Sequence, residues 1–207
     1  MRTFIAIELP KAVQATLAQL QKTLIAQLHN PGPVARVRWA DTAKTHLTLR
    51  FLGETSQEQA AYLQAPLKTI CRANPTFSLR LTELGCFPNC GRPRVIWIGV
   101  GGDVNELLTL QDSIEKAVRQ AGFEADTRAF SPHITLGRVH QRATADNVRR
   151  LGSALQEIIG DEVADRLIST VGEVQSFPVG ELTHMRSILQ PTGSRYTSIC
   201  RFRLNDA

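Results

Sequence analysis

The sequence is short of cysteine, of long apolar runs and of anything resembling a linker. Its four cysteines, Cys71, Cys86, Cys90 and Cys200, are too few and too scattered for a disulfide framework. Cys86 and Cys90 form a lone C-x3-C inside "LGCFPNCGRPR". Neither other cysteine has a partner at metal-ligand spacing, so no metal site is expected. Free thiols in a reducing cytoplasm are the expectation. No apolar stretch is long enough to cross a bilayer, and the opening "MRTFIAIELP" reads as a buried strand, not a secretory leader. With no low-complexity tract or long charge run to divide it, the chain is expected to form a single domain over residues 1–207, and to be a monomer.

What is present fits a soluble globular protein, with 43% hydrophobic and 21% charged residues. The net charge of +5 favours polyanionic partners, since lysine and arginine gain affinity by neutralising phosphates. Many ordinary proteins are as basic, so charge alone decides nothing.

Elements of both types alternate along the chain. Residues 2–9 read as a strand. The helix that follows carries Val13, Leu17, Leu20, Leu24 and Leu28 at helical spacing, reaches His29 at its end, and is broken by "NPGP". Strands are expected at 35–40 and 45–52. Ser56 and Gln59 form a capping box for a helix that Pro66 interrupts. "TFSLRLTEL" and "VIWIGV" are strands flanking a loop, and Asp103 and Glu106 open a helix closed by Gly122. "HITLGRV" is again a strand. A helix over 144–159 follows, then strands near 170–177, 182–189 and 195–204, the last two joined through Gly193. Several strands follow one another without a helix between them, which points to an α+β fold. The recurring order suggests an internal duplication.

The stretch "HLTLRFLG" from His46 has a counterpart in "HITLG" from His133. In a strand, residues two apart share a face, so His46 lies beside Thr48 and His133 beside Thr135, while the aliphatic residues face the other way. Imidazole exchanges protons near neutral pH, and a neighbouring hydroxyl can hold a substrate oxygen. Two such strands facing one another would converge two imidazoles on one cavity, a layout suited to in-line displacement at phosphorus without a metal. One copy of such a motif is usually structural; two in similar settings are harder to explain that way. The remaining histidines, His29, His140 and His184, suit surface or packing roles, Trp97 suits the core, and Tyr196 a structural place.

These tetrads resemble the paired signatures of the two-histidine phosphoesterase superfamily. Together with "RTFIAIELP", "RPRVIWIGV" and "SRYTSICRFRL", they make the chain similar to the bacterial and archaeal RNA 2′,3′-cyclic phosphodiesterases, historically called 2′-5′ RNA ligases. The resemblance implies a bilobal, pseudo-two-fold fold of two antiparallel sheets backed by helices, with the active-site cleft between them. It implies no cofactor, and as partners RNA 3′ ends or nucleotides carrying a 2′,3′-cyclic phosphate, with no membrane. It also implies His46 as proton donor, His133 as proton acceptor, and Thr48 and Thr135 on the phosphate oxygens. The expected product is a 2′-phosphate. Joining of RNA ends in the same site, or RNA-end binding without turnover, are the alternatives. Phe51 and Arg138, each five residues after its histidine, are implied substrate contacts. Strict alternation puts both on the leucine side, where Phe51 would suit the core as well as a stacking role. A guanidinium would not suit it, so a bend at Gly137 is expected to return Arg138 to the phosphate.

Overall fold

The first strand shows how the molecule is organised. In β1 (Arg2–Glu8) the five residues 3–7 are all buried, on both faces. Ile5 and Ile7 join the main apolar core, while Phe4 and Ala6 join Met185 and Tyr196 in a small cluster on the opposite face. The computed structural model describes residues 1–28, 34–160, 176–190 and 193–205.

After β1 come α1 (Lys11–Leu28), β2 (Val37–Trp39), β3 (His46–Glu54), α2 (Gln57–Tyr62), α3 (Gln64–Ala73), β4 (Phe77–Phe87) and β5 (Val95–Gly102). α4 (Val104–Gln120), β6 (His133–Val139), α5 (Ala145–Gly160), β7 (Phe177–Val179), β8 (Glu181–Gln190) and β9 (Gly193–Arg203) complete the order. The capping box is present, with the Gln59 N–H on Ser56 Oγ and the Ser56 N–H on Gln59 Oε1, each at 3.0 Å. Pro66 splits the helical run as expected. It sits in the first turn of α3, where a missing N–H has no intrahelical partner to lose.

The fold is α+β, with one sheet in the order β3-β1-β8-β9 and another in the order β2-β6-β5-β4-β7. Every strand pairing within them is antiparallel. The sheets are not successive halves of the chain. Sheet one takes both ends, while β2 crosses over to pair with β6 and β7 returns to pair with β4. α1 lies against sheet two, where Gln21 bonds the β6 backbone. A single apolar cluster holds β1, β5, β6 and residues of α1, α3, α4 and α5, so the helices and both sheets share one core.

One expectation needs amendment. Cys86 and Cys90 are disulfide-linked, not free: β4 runs on to Phe87 and the chain doubles back at once, bringing the two Cα atoms within 5.0 Å, inside the range a disulfide spans. Cys71 and Cys200 remain thiols. The strand expected near 170–177 begins only at Phe177, its earlier part lying outside the described residues, as do His29 and residues 30–33. Among the described residues, no helix is long and apolar enough to cross a membrane.

Candidate active site

His46 opens β3 and His133 opens β6, so each sheet delivers its histidine at a strand entrance. A single-turn helix at Thr42–Lys44, capped by Asp41, leads into the first. The rings are held in the same way. Nδ1 of His46 bonds the Lys44 carbonyl at 3.0 Å and Nδ1 of His133 bonds the Ser131 carbonyl at 2.7 Å, each two residues back. A carbonyl only accepts, so Nδ1 carries the proton and donates. That leaves Nε2 as the nitrogen for proton exchange in both rings. Both histidines, with Thr48 and Thr135, line one cleft of about 800 Å³ whose walls come from both sheets.

The rings differ in their neighbours. His46 stacks on Phe4 at 4.6 Å between centroids and meets the edge of Tyr196 at 5.0 Å. His133 meets Phe87 edge-on at 4.8 Å, with Trp97 at 6.2 Å. Burial pulls the His46 imidazole below its ordinary value, against which the Lys44 carbonyl and then the Glu8 carboxylate push upward. Burial also lowers His133. The Ser131 carbonyl opposes this, but the Arg138 guanidinium adds to it. Glu8 stands directly across from His46 in the β1–β3 register, bonded to Arg201 at 3.1 Å.

The bend expected at Gly137 is there. Ile96 pairs with Gly137 and Trp97 with Thr135, so Leu136 is the extra residue of a bulge. Leu136 and Gly137 are both buried, and Arg138 emerges exposed on the cleft side. A Cβ on Gly137 would meet Val37 Cγ1 at 2.6 Å and the Trp39 ring at 3.1 Å, so the tight approach of β2 requires glycine. β3 has a matching slip that no glycine announced. Ala6 pairs with Thr48 and Ile5 with Arg50, leaving Leu49 extra. Phe51 thereby also returns to the cleft, 54% exposed, which overturns the core alternative.

Sequence reading missed two residues that hold this arrangement. Gln21, only 8% exposed on α1, donates to the Leu136 carbonyl at 2.8 Å and the Ala40 carbonyl at 3.0 Å, pinning the bulge beneath Arg138. The one signal was a polar residue four positions after Leu17 in an apolar helix stripe. Arg50 turns away from the cleft and ties β3 to α4, with Nε 2.5 Å from Glu115 and a further bond to the Glu124 carbonyl. Of the other histidines, His140 is exposed and His184 is fully buried in β8, neither ring nitrogen bonded in the described structure. Among the described residues no three His, Cys, Asp or Glu side chains group as metal ligands.

Fold and cleft together define a bilobal α+β protein with a paired-histidine site. The chain belongs to the 2′-5′ RNA ligase superfamily, whose family model matches residues 9–158. An Aeropyrum pernix protein named RNA 2′,3′-cyclic phosphodiesterase is 37% identical over 131 residues, 63% of this chain and 72% of its own. A Methanothermobacter thermautotrophicus protein of the same name is 28% identical over 204 residues, 99% of each chain. A crystal structure of a Thermus thermophilus protein matches with a TM-score of 0.73 at 26% identity, over 100% of this chain and 99% of its own. E. coli LigT complexed with 3′-AMP matches with a TM-score of 0.65 at 27% identity, over 98% and 97%.

Proposed function

We propose that this protein hydrolyses the 2′,3′-cyclic phosphate at RNA 3′ ends to a 2′-phosphate, by proton exchange between two imidazoles and without a metal. The observation that carries the reading is the identical anchoring of His46 and His133, which leaves two Nε2 atoms to one cleft. His133 Nε2 accepts a proton from water, whose oxygen attacks phosphorus. The P–O3′ bond breaks on the opposite side, and His46 Nε2 protonates the departing 3′ oxygen. Thr48 and Thr135 donate to the non-bridging oxygens, Arg138 offsets the charge that builds on them, and Phe51 offers a face for the base.

The direction of proton flow has support from electrostatics. Glu8 favours the charged form of His46, the acid, and Arg138 favours the neutral form of His133, the base. The names of the relatives point to the same reaction. The catalytic unit is the whole chain, acting as a monomer in the cytoplasm, where RNA ends are its substrates.

With a 5′-hydroxyl in place of water as the attacking oxygen, the same site would join RNA ends through a 2′-5′ linkage, the activity in the superfamily's name. Incubation with a nucleoside 2′,3′-cyclic phosphate in excess chelator tests the first reading. A 2′-phosphate product with undiminished rate is expected. A 3′-phosphate, or loss of activity with chelator, would reject it. End-labelled RNA incubated with a 5′-hydroxyl acceptor reports on joining.

A further inference from the structure

β2 sets Arg38 directly opposite Arg138 on β6. Side chains opposite one another on antiparallel strands share a face with Cβ atoms about 5 Å apart, and like charges so placed repel. The strand has no freedom to turn Arg38 away, because its neighbours Val37 and Trp39 pack on the other side against Gly137. Both arginines are exposed and both line the cleft. Several strand arginines elsewhere are settled by carboxylates: Arg50 with Glu115, Arg201 with Glu8 and Glu181, Arg2 with Glu54. Here, among the described residues, neither arginine has one. Among the described residues, the only acidic one in the cleft wall, Asp41, is held by Lys44 at 2.7 Å.

The reacting phosphate already has Thr48, Thr135 and the fork of Arg138 for its non-bridging oxygens. A second guanidinium at its side calls for a second anion, and an RNA strand supplies one at each nucleotide. We infer that Arg38 binds the phosphodiester preceding the reactive terminus, so that the cleft selects the 3′ end of a strand over a lone nucleotide. This rests on the cyclic phosphodiesterase reading above.

Three substrates test it with wild type and Arg38→Gln: a nucleoside 2′,3′-cyclic phosphate, a dinucleotide ending in that group, and the same dinucleotide with an uncharged methylphosphonate linkage. Wild type is expected to favour the phosphodiester dinucleotide over the mononucleotide by about tenfold in kcat/KM, the size of one charge-assisted contact. The methylphosphonate should erase that preference. In Arg38→Gln the ratio should fall to near one and become indifferent to the linkage. A variant that keeps the wild-type ratio, a loss equal on all three substrates, or wild-type indifference to the methylphosphonate would each overturn the inference. Wild type turning over none of the three would sink the cyclic phosphodiesterase reading itself, and this inference with it.

Discussion

The two lobes share a four-residue pattern, His-x-Thr-Leu, and then part. Each begins a strand with histidine, anchors Nδ1 on the carbonyl two residues back, and slips register at the last leucine of its tetrad. One position later, sheet one has Arg50, spent on Glu115 and α4, and sheet two has Gly137, wedged under Val37 and Trp39. At the next position one bulge presents Phe51 and the other Arg138. The shared part makes proton exchange possible at both ends of a displacement. On the proposed mechanism, the divergent part decides what each side holds and which way the proton runs.

The largest effects should come from the shared part. His46→Ala and His133→Ala are each expected to lower kcat about 10³-fold, within the range of general acid–base catalysis. A substrate whose bridging 3′ oxygen is replaced by sulfur separates them. A thiolate leaves without a proton, so most of the loss in His46→Ala should be recovered while His133→Ala stays slow. Equal recovery in both would break the acid and base assignment.

Next comes the divergent position five residues after each histidine. Arg138→Gln should cost about 10²-fold in kcat/KM, as loss of a donor to developing charge does, expressed mainly in kcat. Phe51→Ala should cost about tenfold, mainly in KM and varying with the base, as loss of a stacking face does. If the two variants showed the same split between kcat and KM, the lobes would not differ in what they hold.

Gln21→Leu should act through Arg138. It removes one donor from the Leu136 carbonyl, which keeps the Ala40 N–H, and the side-chain donor of the partly buried Ala40 carbonyl, at about 1–3 kcal/mol in the extreme, and loosens the bulge. A loss of several-fold in kcat is expected with wild-type Arg138. In an Arg138→Gln background the activity loss should vanish while the drop in Tm persists. Additive activity losses would make Gln21 merely structural.

The legible part of the fold was what local chemistry dictates. Period-two alternation exposed both tetrads, the Ser56–Gln59 box and Pro66 marked helix ends, and the charge of Arg138 demanded a bend. What escaped depends on contacts distant in sequence. Nothing local says that β2 leaves its neighbours for sheet two, or that a leucine in β3 bulges without a glycine. Cys86 and Cys90 meet only because the chain doubles back immediately after β4. Apart from its place four positions after Leu17, nothing local marks Gln21 among the polar residues of its helix; only β6 supplies the carbonyl it serves.

The lobes should also differ in acid. Sheet one buries His184 with neither nitrogen bonded among the described residues, and burial pulls its pKa from 6.5 down to about 4. The unfolded chain therefore takes up a proton that the folded chain refuses. Stability is fully present above pH 6.5 and declines as pH falls towards 4, by about 3 kcal/mol in all. Urea unfolding between pH 7 and pH 4.5 should show this slope, and His184→Leu should flatten it. An unchanged slope in the variant would place the acid sensitivity elsewhere.

The smallest expected effect is the one that reads the electrostatic difference between the lobes directly. Both imidazoles lie below their ordinary value through burial, so the kcat/KM profile should be a bell centred on the acid side of 6.5. Its alkaline limb reports loss of the proton from the acid, and its acid limb reports protonation of the base. Glu8 raises His46, so Glu8→Gln should move the alkaline limb to lower pH and leave the acid limb in place. Arg138 lowers His133, so the Arg138→Gln profile, scaled for its slower rate, should move the acid limb upward and spare the alkaline one. If the Glu8 variant moved the acid limb instead, His46 would be the base, and the two lobes would exchange roles with their common geometry intact.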